Sequence, residues 1–165
     1  MGGIKIFTQE QVEQWEEANI IELIQQALHN KHDRFVQSGI KLVQDLSPLP
    51  RWHCQAQRIR QLFEHLLDNA IEAMPNGGAV KIQTHSNEQQ WVMTLKDEGV
   101  GISQEAQAQL FDPFFTTKEI GAGKGLGLTI SYSIVQQHRG KISIESKSGE
   151  GTTVKLHFPI KPSHT

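Results

Sequence analysis

Between Ile59 and Met74, the apolar residues Ile59, Leu62, Phe63, Leu66, Leu67, Ala70, Ile71 and Met74 recur at i, i+3 and i+4 without a break. That spacing draws one stripe along an α-helix, and Pro75-Asn-Gly-Gly78 stops it. A helix with so wide an apolar side has to lie on a second apolar layer. Alternating residues supply one: Val80, Ile82 and Thr84, then Trp91, Met93 and Leu95, with a polar turn around Ser86-Asn87-Glu88, predict an antiparallel hairpin. Further strands are expected from Ile40 to Leu46, ended by Ser47-Pro-Leu-Pro50, and over 141–147 and 152–159, with Ser148-Gly-Glu-Gly151 between the last two.

Helical spacing of Ile21, Ile24, Leu28 and Phe35 predicts a helix over 18–37, stopped by Ser38-Gly39. A short helix over 103–110, capped by Ser103, is expected next. The last helix, over 127–138, carries Ile130, Ile134 and Val135 on one face and has Gly140 as its stop. The order α-β-α-β-β-loop-α-β-β describes a two-layer α/β sandwich. Its sheet is mixed but largely antiparallel, with about three helices on one face. The expected domain covers 18–160, after a lead-in over 1–17 and before a tail over 161–165.

Bulk properties narrow the classes of function. The chain has 165 residues, enough for one well-filled core. Its formal net charge of −2 favours neither nucleic acid nor an anionic membrane surface as partner. The single cysteine, Cys54, excludes an intrachain disulfide and a cysteine zinc site, and a reducing, cytoplasmic setting is expected. Neither an apolar run near 18 residues nor a signal-peptide pattern is present.

The chemistry is concentrated in four segments. In Gly121-Ala-Gly-Lys-Gly-Leu-Gly-Leu128, glycines at alternate positions leave backbone N–H groups open to an anion, just ahead of a helix. It is not a Walker loop, since Gly125 follows Lys124, and neither a dinucleotide fingerprint nor the protein-kinase set is present. Asp97-Glu-Gly-Val-Gly101 ends a strand in a tight, glycine-lined turn, where Asp97 can accept from an exocyclic amine; an ordinary Asp/Gly turn reads the same way. On the long helix, Asn69 falls at the margin of the apolar stripe, with His65 and Glu72 on the adjoining polar side. Asn69 is either a satisfied boundary residue or a neutral oxygen ligand suited to Mg²⁺. Phe111-Asp-Pro-Phe-Phe-Thr-Thr-Lys118 reads as an aromatic anchor leading into the glycine loop, or as a satellite apolar cluster beside solvated lysines.

In this order and at these separations, the four segments resemble the ATP-binding catalytic domain of sensor histidine kinases, in the superfamily shared with DNA gyrase, heat-shock chaperone ATPases and mismatch-repair ATPases. His65-Leu-Leu-Asp-Asn69-Ala-Ile-Glu-Ala73 is similar to the N box, Asp97-Glu-Gly-Val-Gly101 to the first glycine box, Phe111-Asp-Pro-Phe-Phe115 to the phenylalanine box and Gly123-Lys-Gly-Leu-Gly-Leu128 to the second glycine box. The closing Gly149-Glu-Gly-Thr-Thr-Val-Lys-Leu-His-Phe-Pro159 is also typical, so the resemblance covers roughly residues 18 to 160.

The resemblance implies that Asn69 coordinates Mg²⁺, that Asp97 binds the adenine amine and that Gly101 borders the base. It implies that Lys118 and the backbone of Gly125, Leu126, Gly127 and Leu128 hold phosphates, and that Thr152 or Thr153 reaches the adenine through water. Gly99, Ile102, Phe115, Thr117 and Lys124 join the nucleotide-contacting set. Residues 112–124 would form a mobile ATP lid. His65 takes a catalytic position often filled by Asn or an activating Glu, Glu72 stands where many kinases carry a basic residue, and Lys124 replaces the usual lid Thr.

The family's phosphoacceptor, a His on a dimerisation helix followed by an acidic residue, has no counterpart among the eight histidines. His29 and His32 read as sharing a helix face, and His138 as a residue near the negative end of a helix dipole. His53, His85, His157 and His164 read as strand, edge or tail residues. The implied activity is transfer of the ATP γ-phosphoryl group to a histidine on partner helices, with a response regulator downstream and a monomeric isolated domain. The alternatives are a nucleotide-responsive binding module without transfer and a serine kinase of the anti-sigma-factor type.

Overall fold

The structure, a computed structural model, describes residues 14–100, 125–147 and 149–160. Eleven elements follow in chain order: β1 (Glu16–Ala18), α1 (Ile20–Asn30), α2 (His32–Gln37), β2 (Ile40–Leu46), β3 (Trp52–Cys54), α3 (Ala56–Glu72), β4 (Gly78–Ser86), β5 (Gln90–Asp97), α4 (Gly125–Gln137), β6 (Lys141–Ser146) and β7 (Thr152–Pro159). The main sheet has the order β2-β4-β5-β7-β6. β2 runs parallel to β4 and every other neighbour pair is antiparallel. This is the expected mixed, largely antiparallel sheet with a helical layer on one face.

Strand alternation explains the layering. Val80 and Ile82, Trp91, Met93 and Leu95, and Val154, Leu156 and Phe158 are buried in one core with Ile59, Leu62, Phe63, Leu66, Leu67, Ala70 and Ile71 of α3. Asp97 is next in the inward register after Leu95 and is itself buried. At the hairpin tip, Asn87 Oδ1 accepts from the N–H groups of Gln89 and Gln90 at 2.7 and 2.9 Å, which fixes the turn.

The helix expected over 18–37 is two helices. Asn19 caps α1, its Oδ1 accepting from Glu22 N at 3.1 Å. The stripe Ile20, Leu23, Ile24, Ala27, Leu28 then reaches Lys31, where the backbone leaves helical geometry at φ −104, ψ 4. A charged side chain stands where the stripe needs an apolar one. The chain turns there, so that Lys31 and Arg34 reach Asp68 while Phe35 is buried. His29 and His32 therefore sit on different helices rather than on one shared face.

β1 and β3 form a separate two-stranded ribbon with Glu16 opposite Cys54. Three-residue strands carry too little alternation to be read from sequence, and β1 straddles the expected start of the domain at residue 18.

α4 differs from expectation in its buried face and at its end. Ile130 is exposed, whereas Ser131, Ile134, Val135 and the following His138 are buried, an i, i+3, i+4, i+7 set. At the C-terminus, Gly140 N–H donates to Val135 O at 2.9 Å and Arg139 N–H to Gln136 O at 3.0 Å. This is a Schellman pair. The left-handed residue in it is Arg139, at φ 60, rather than Gly140. Gly140 is required for a different reason: a Cβ there would lie 2.5 Å from the Phe158 ring and 2.6 Å from His157 O. Among the described residues, no helix is long and apolar enough to cross a membrane.

Candidate functional site

The long helix presents the first part of the site. Counting 100° per residue, His65 and Asn69 are one turn apart on nearly the same face and Glu72 lies about 60° to one side. All three are partly buried. Asn69 Nδ2 and His65 Nε2 are fully shielded atoms with no hydrogen-bond partner among the described residues. Two orphaned polar atoms on one face are costly unless a ligand meets them. The orphaned Asn69 Nδ2 is a donor, suited to an oxygen of a bound anion, and the same carboxamide offers Oδ1 as a neutral ligand for a hard cation. The residues present therefore fit an anion together with a metal that it carries.

Burial is the main reason that the His65 imidazole is held below its ordinary value; Asp68 and Glu64 pull it up and Lys31 pushes it down. His65 is thus neutral near pH 7.

The end of β5 closes against the end of this helix. Val100 N–H donates to Ala73 O at 3.0 Å, and a Cβ on Gly99 would lie 2.5 Å from Ala73 O and 2.7 Å from Ala73 Cβ. Only glycine allows that approach, which sets the turn after Asp97 against Ala73, one helical turn beyond Asn69. From the other side Gly151, at φ +88, is so close that a Cβ would lie 2.3 Å from Asp97 O. The Asp97 carboxylate accepts from Gly99 N at 2.8 Å. Burial pushes its carboxyl up, opposed by the backbone N–H groups of Gly99 and Thr152. A buried carboxylate at a strand end, backed by two N–H groups, is well placed to accept from an amine.

Thr152 is the cross-strand neighbour of Asp97, and Ser146 Oγ lies 2.8 Å from Thr152 Oγ1. Since Ser146 Oγ donates to Gly151 O at 2.9 Å, Thr152 donates in that hydroxyl pair. Thr153 pairs with Lys96 instead, and strand alternation puts it on the opposite side of the sheet from Asp97.

α4 begins at Gly125, so the N–H groups of Gly125, Leu126, Gly127 and Leu128 form its first turn and have no partners within the helix. Gly101, Ile102, Phe115, Thr117, Lys118 and Lys124 lie outside the described residues, as do the expected helix over 103–110 and His164.

His138 has a role that sequence reading assigned differently. Gln55, the N-cap residue of α3, donates its backbone N–H to His138 Nε2 at 3.1 Å. Nδ1 therefore carries the proton and donates to Ile134 O at 2.8 Å. The ring is buried, lies 4.8 Å from Trp15 and 5.6 Å from Trp52, and is held below its ordinary value chiefly by burial. It is a neutral bridge between the end of α4 and the start of α3, not a cation at a helix dipole.

The remaining groups are simpler. His53, His85 and His157 lie on strands as expected. Burial, with help from Glu16, pushes the Cys54 thiol up to about 12, which leaves it unreactive. Among the described residues, no three His, Cys, Asp or Glu side chains gather as a metal cage.

A pH dependence of stability follows. His65, His138 and His157 are all depressed below the ordinary 6.5, burial being the first cause in each. The unfolded chain therefore takes up protons that the folded chain refuses, and stability present above about pH 6.5 is lost as pH falls. Unfolding free energies from urea titration should drop between pH 7.5 and 5.5, by at most about 1.4 kcal/mol per pH unit for each group. In His138→Gln the slope should be shallower; an unchanged slope would remove His138 from the set.

The chain is similar to known proteins. Residues 54–162 match the family described as histidine kinase-, DNA gyrase B-, and HSP90-like ATPase. The chain is 39% identical over 127 residues to sporulation kinase E of Bacillus subtilis, covering 76% of this chain and 16% of that protein. It is 33% identical over 159 residues to the signal transduction histidine-protein kinase AtoS of Escherichia coli, covering 94% of this chain and 26% of that protein. It thus spans a quarter or less of the length of most such relatives. Among solved structures, the nucleotide-free catalytic domain of histidine kinase ThkA superposes with a TM-score of 0.80 at 27% identity, over 92% of this chain and 99% of that one.

Proposed function

The chain belongs to the histidine kinase-, DNA gyrase B-, and HSP90-like ATPase family, as a histidine kinase ATP-binding catalytic domain, and from that premise we propose how it holds Mg-ATP and directs phosphoryl transfer to a histidine. Asp97 accepts the adenine amine, with Gly99, Gly101 and Ile102 against the base and Thr152 reaching it through water. Asn69, through Oδ1, would hold a magnesium ion, which when bound would supply neutralisation of phosphate charge. The first-turn N–H groups of α4, with Phe115, Thr117, Lys118 and Lys124 from the lid segment, settle the phosphate chain. The observation that carries this reading is the pair of orphaned atoms on His65 and Asn69, one turn from the Asp97 turn.

The reaction is an in-line displacement. An imidazole nitrogen of the acceptor bonds to the γ-phosphorus as the bond to the β,γ-bridging oxygen breaks, and ADP leaves. The imidazole proton passes to a base, for which a carboxylate beside the acceptor histidine suffices. The contribution of this chain is positioning and charge neutralisation. His65, neutral and one turn from Asn69, borders the same face. The acceptor sits on separate dimerisation helices, a response regulator takes the phosphoryl group onward, and the isolated domain is a monomer in the cytoplasm, where ATP is available.

Calorimetric titration with and without Mg²⁺ tests the site. Asn69→Ala should cost about tenfold or more in affinity when Mg²⁺ is present and little in its absence; equal losses in both would remove Asn69 as the ligand. Supplied with labelled ATP and a helical dimer bearing an acceptor histidine, the chain should form acid-labile phosphohistidine. Acid-stable label, or ATP binding with no transfer at all, would replace the kinase reading with a serine kinase or a binding module.

A further inference from the structure

The core and its helices lie on one face of the main sheet, and strand alternation turns the intervening residues to the other. Every strand sets a lysine on that outward face: Lys41 on β2, Lys81 on β4, Lys96 on β5, Lys155 on β7 and Lys141 on β6. The register makes them neighbours. Lys81 stands directly opposite Lys96. Lys41 is two residues from Val43, the partner of Lys81, and Lys155 is two residues from Thr153, the partner of Lys96. Lys141 is two residues from Ser143, the partner of Lys155. The lysines thus form an unbroken band, about 19 Å from the first strand to the last.

Such a band repels itself, most of all where like charges stand directly opposite. Among the described residues, none of these lysines lies in an ion pair. Three carboxylates border the band. Asp45 Oδ2 accepts from Gln83 Nε2 at 3.2 Å, Glu98 Oε1 accepts from Ala79 N–H at 3.1 Å, and Glu145 lies on the edge strand β6. Five lysines against three carboxylates leave a net of two positive charges on this face, although the whole chain carries −2. His157 registers their convergence: burial first, then Lys155, His85 and Lys141, hold its imidazole below the ordinary value. The helix layer lies about 10 Å behind, the usual spacing of packed layers. That exceeds the Debye length of about 8 Å at physiological ionic strength, so a surface meeting the band feels mainly the lysines.

The outward positions of these strands carry no arginine, phenylalanine, tyrosine or tryptophan. The face therefore lacks the planar fork that grips an anion at a fixed angle, and the rings that stack on bases or anchor a protein interface. Lysines on flexible stems, separated by Ala79, Thr94, Ser143 and Thr153, match a soft array of negative charges without fixed geometry. Anionic lipid headgroups form such an array. We propose that the outward sheet face, through the band from Lys41 to Lys141, docks reversibly on an anionic lipid surface. Asp97 belongs to the inward register, so docking leaves the candidate site clear and needs no nucleotide.

The test is sedimentation of the whole chain with phosphatidylcholine vesicles, with and without about 40% phosphatidylglycerol, at about 0.1 M salt. One cation near such a surface is worth about fivefold in binding, so a net of two predicts about 25-fold preference for the anionic vesicles, lost near 0.5 M salt. Lys81→Gln/Lys96→Gln should cut the preference to about twofold or less, with stability unchanged or raised because a repelling pair is removed. Arg51→Glu changes the net charge equally but beside β3, in the separate ribbon, and should keep most of the preference. No preference in the unaltered chain, or equal losses in the two variants, would overturn the inference and leave the lysines as solvated groups that keep an open sheet face from stacking. Duplex DNA or poly-glutamate bound as tightly as the anionic vesicles would overturn the choice of lipid.

Discussion

Asp97→Asn is expected to lower ATP affinity about 30-fold, with the fold intact. The carboxylate is buried, one oxygen accepts from Gly99 N at 2.8 Å, and glycines on both sides hold it against the end of α3. An amide keeps the shape but turns one acceptor into a donor. A ligand amine then meets either a weaker acceptor or an N–H group, and a hydrogen bond to a charged group is worth about 2 kcal/mol. The loss should be shared equally by ATP, ADP and adenosine, because Asp97 acts on the base. Unchanged affinity for adenosine would remove Asp97 from the base pocket. A loss confined to ATP would place it near the phosphates instead.

The second large effect is on stability. Gly140→Ala is expected to cost about 3 kcal/mol, near the upper end for overpacking a core, and to lower the thermal midpoint by about 6 to 12 °C. The new methyl would enter the Phe158 ring and the His157 carbonyl, both on a central strand that cannot yield without opening the sheet. Gly149→Ala is the control. Gly149 has a positive φ, +82, which Gly140 does not, but a Cβ there meets nothing within 4 Å, so the cost should stay at about 1 kcal/mol. A loss at Gly140 no larger than the loss at Gly149 would mean that close packing does not govern Gly140.

The two glycines illustrate what was legible in the sequence. Periodicity announced α3, the β4–β5 hairpin, the β6–β7 pair and the layer order, because each rests on residues close together in the chain. The Asn69 face and the Asp97 turn were legible for the same reason. Features decided by distant partners were not. The break at Lys31 depends on Asp68, 37 residues away, and the tautomer of His138 on Gln55, 83 residues away. Ile130 looked like a core residue by composition, yet the buried face of α4 runs through Ser131 and His138, polar residues that an apolar count passes over. The strand residue Thr153 was separated from Thr152 only once the register against Asp97 and Lys96 was known.

The fastening of α4 has a mechanical consequence. Its far end is locked by the turn at Arg139 and by the imidazole of His138 between Trp15 and Trp52, while its near end opens from the glycine segment. The 13 residues of α4 span about 20 Å. At the fastened end the His138 ring meets the backbone of Gln55, which caps the neighbouring helix, and the indole of Trp15.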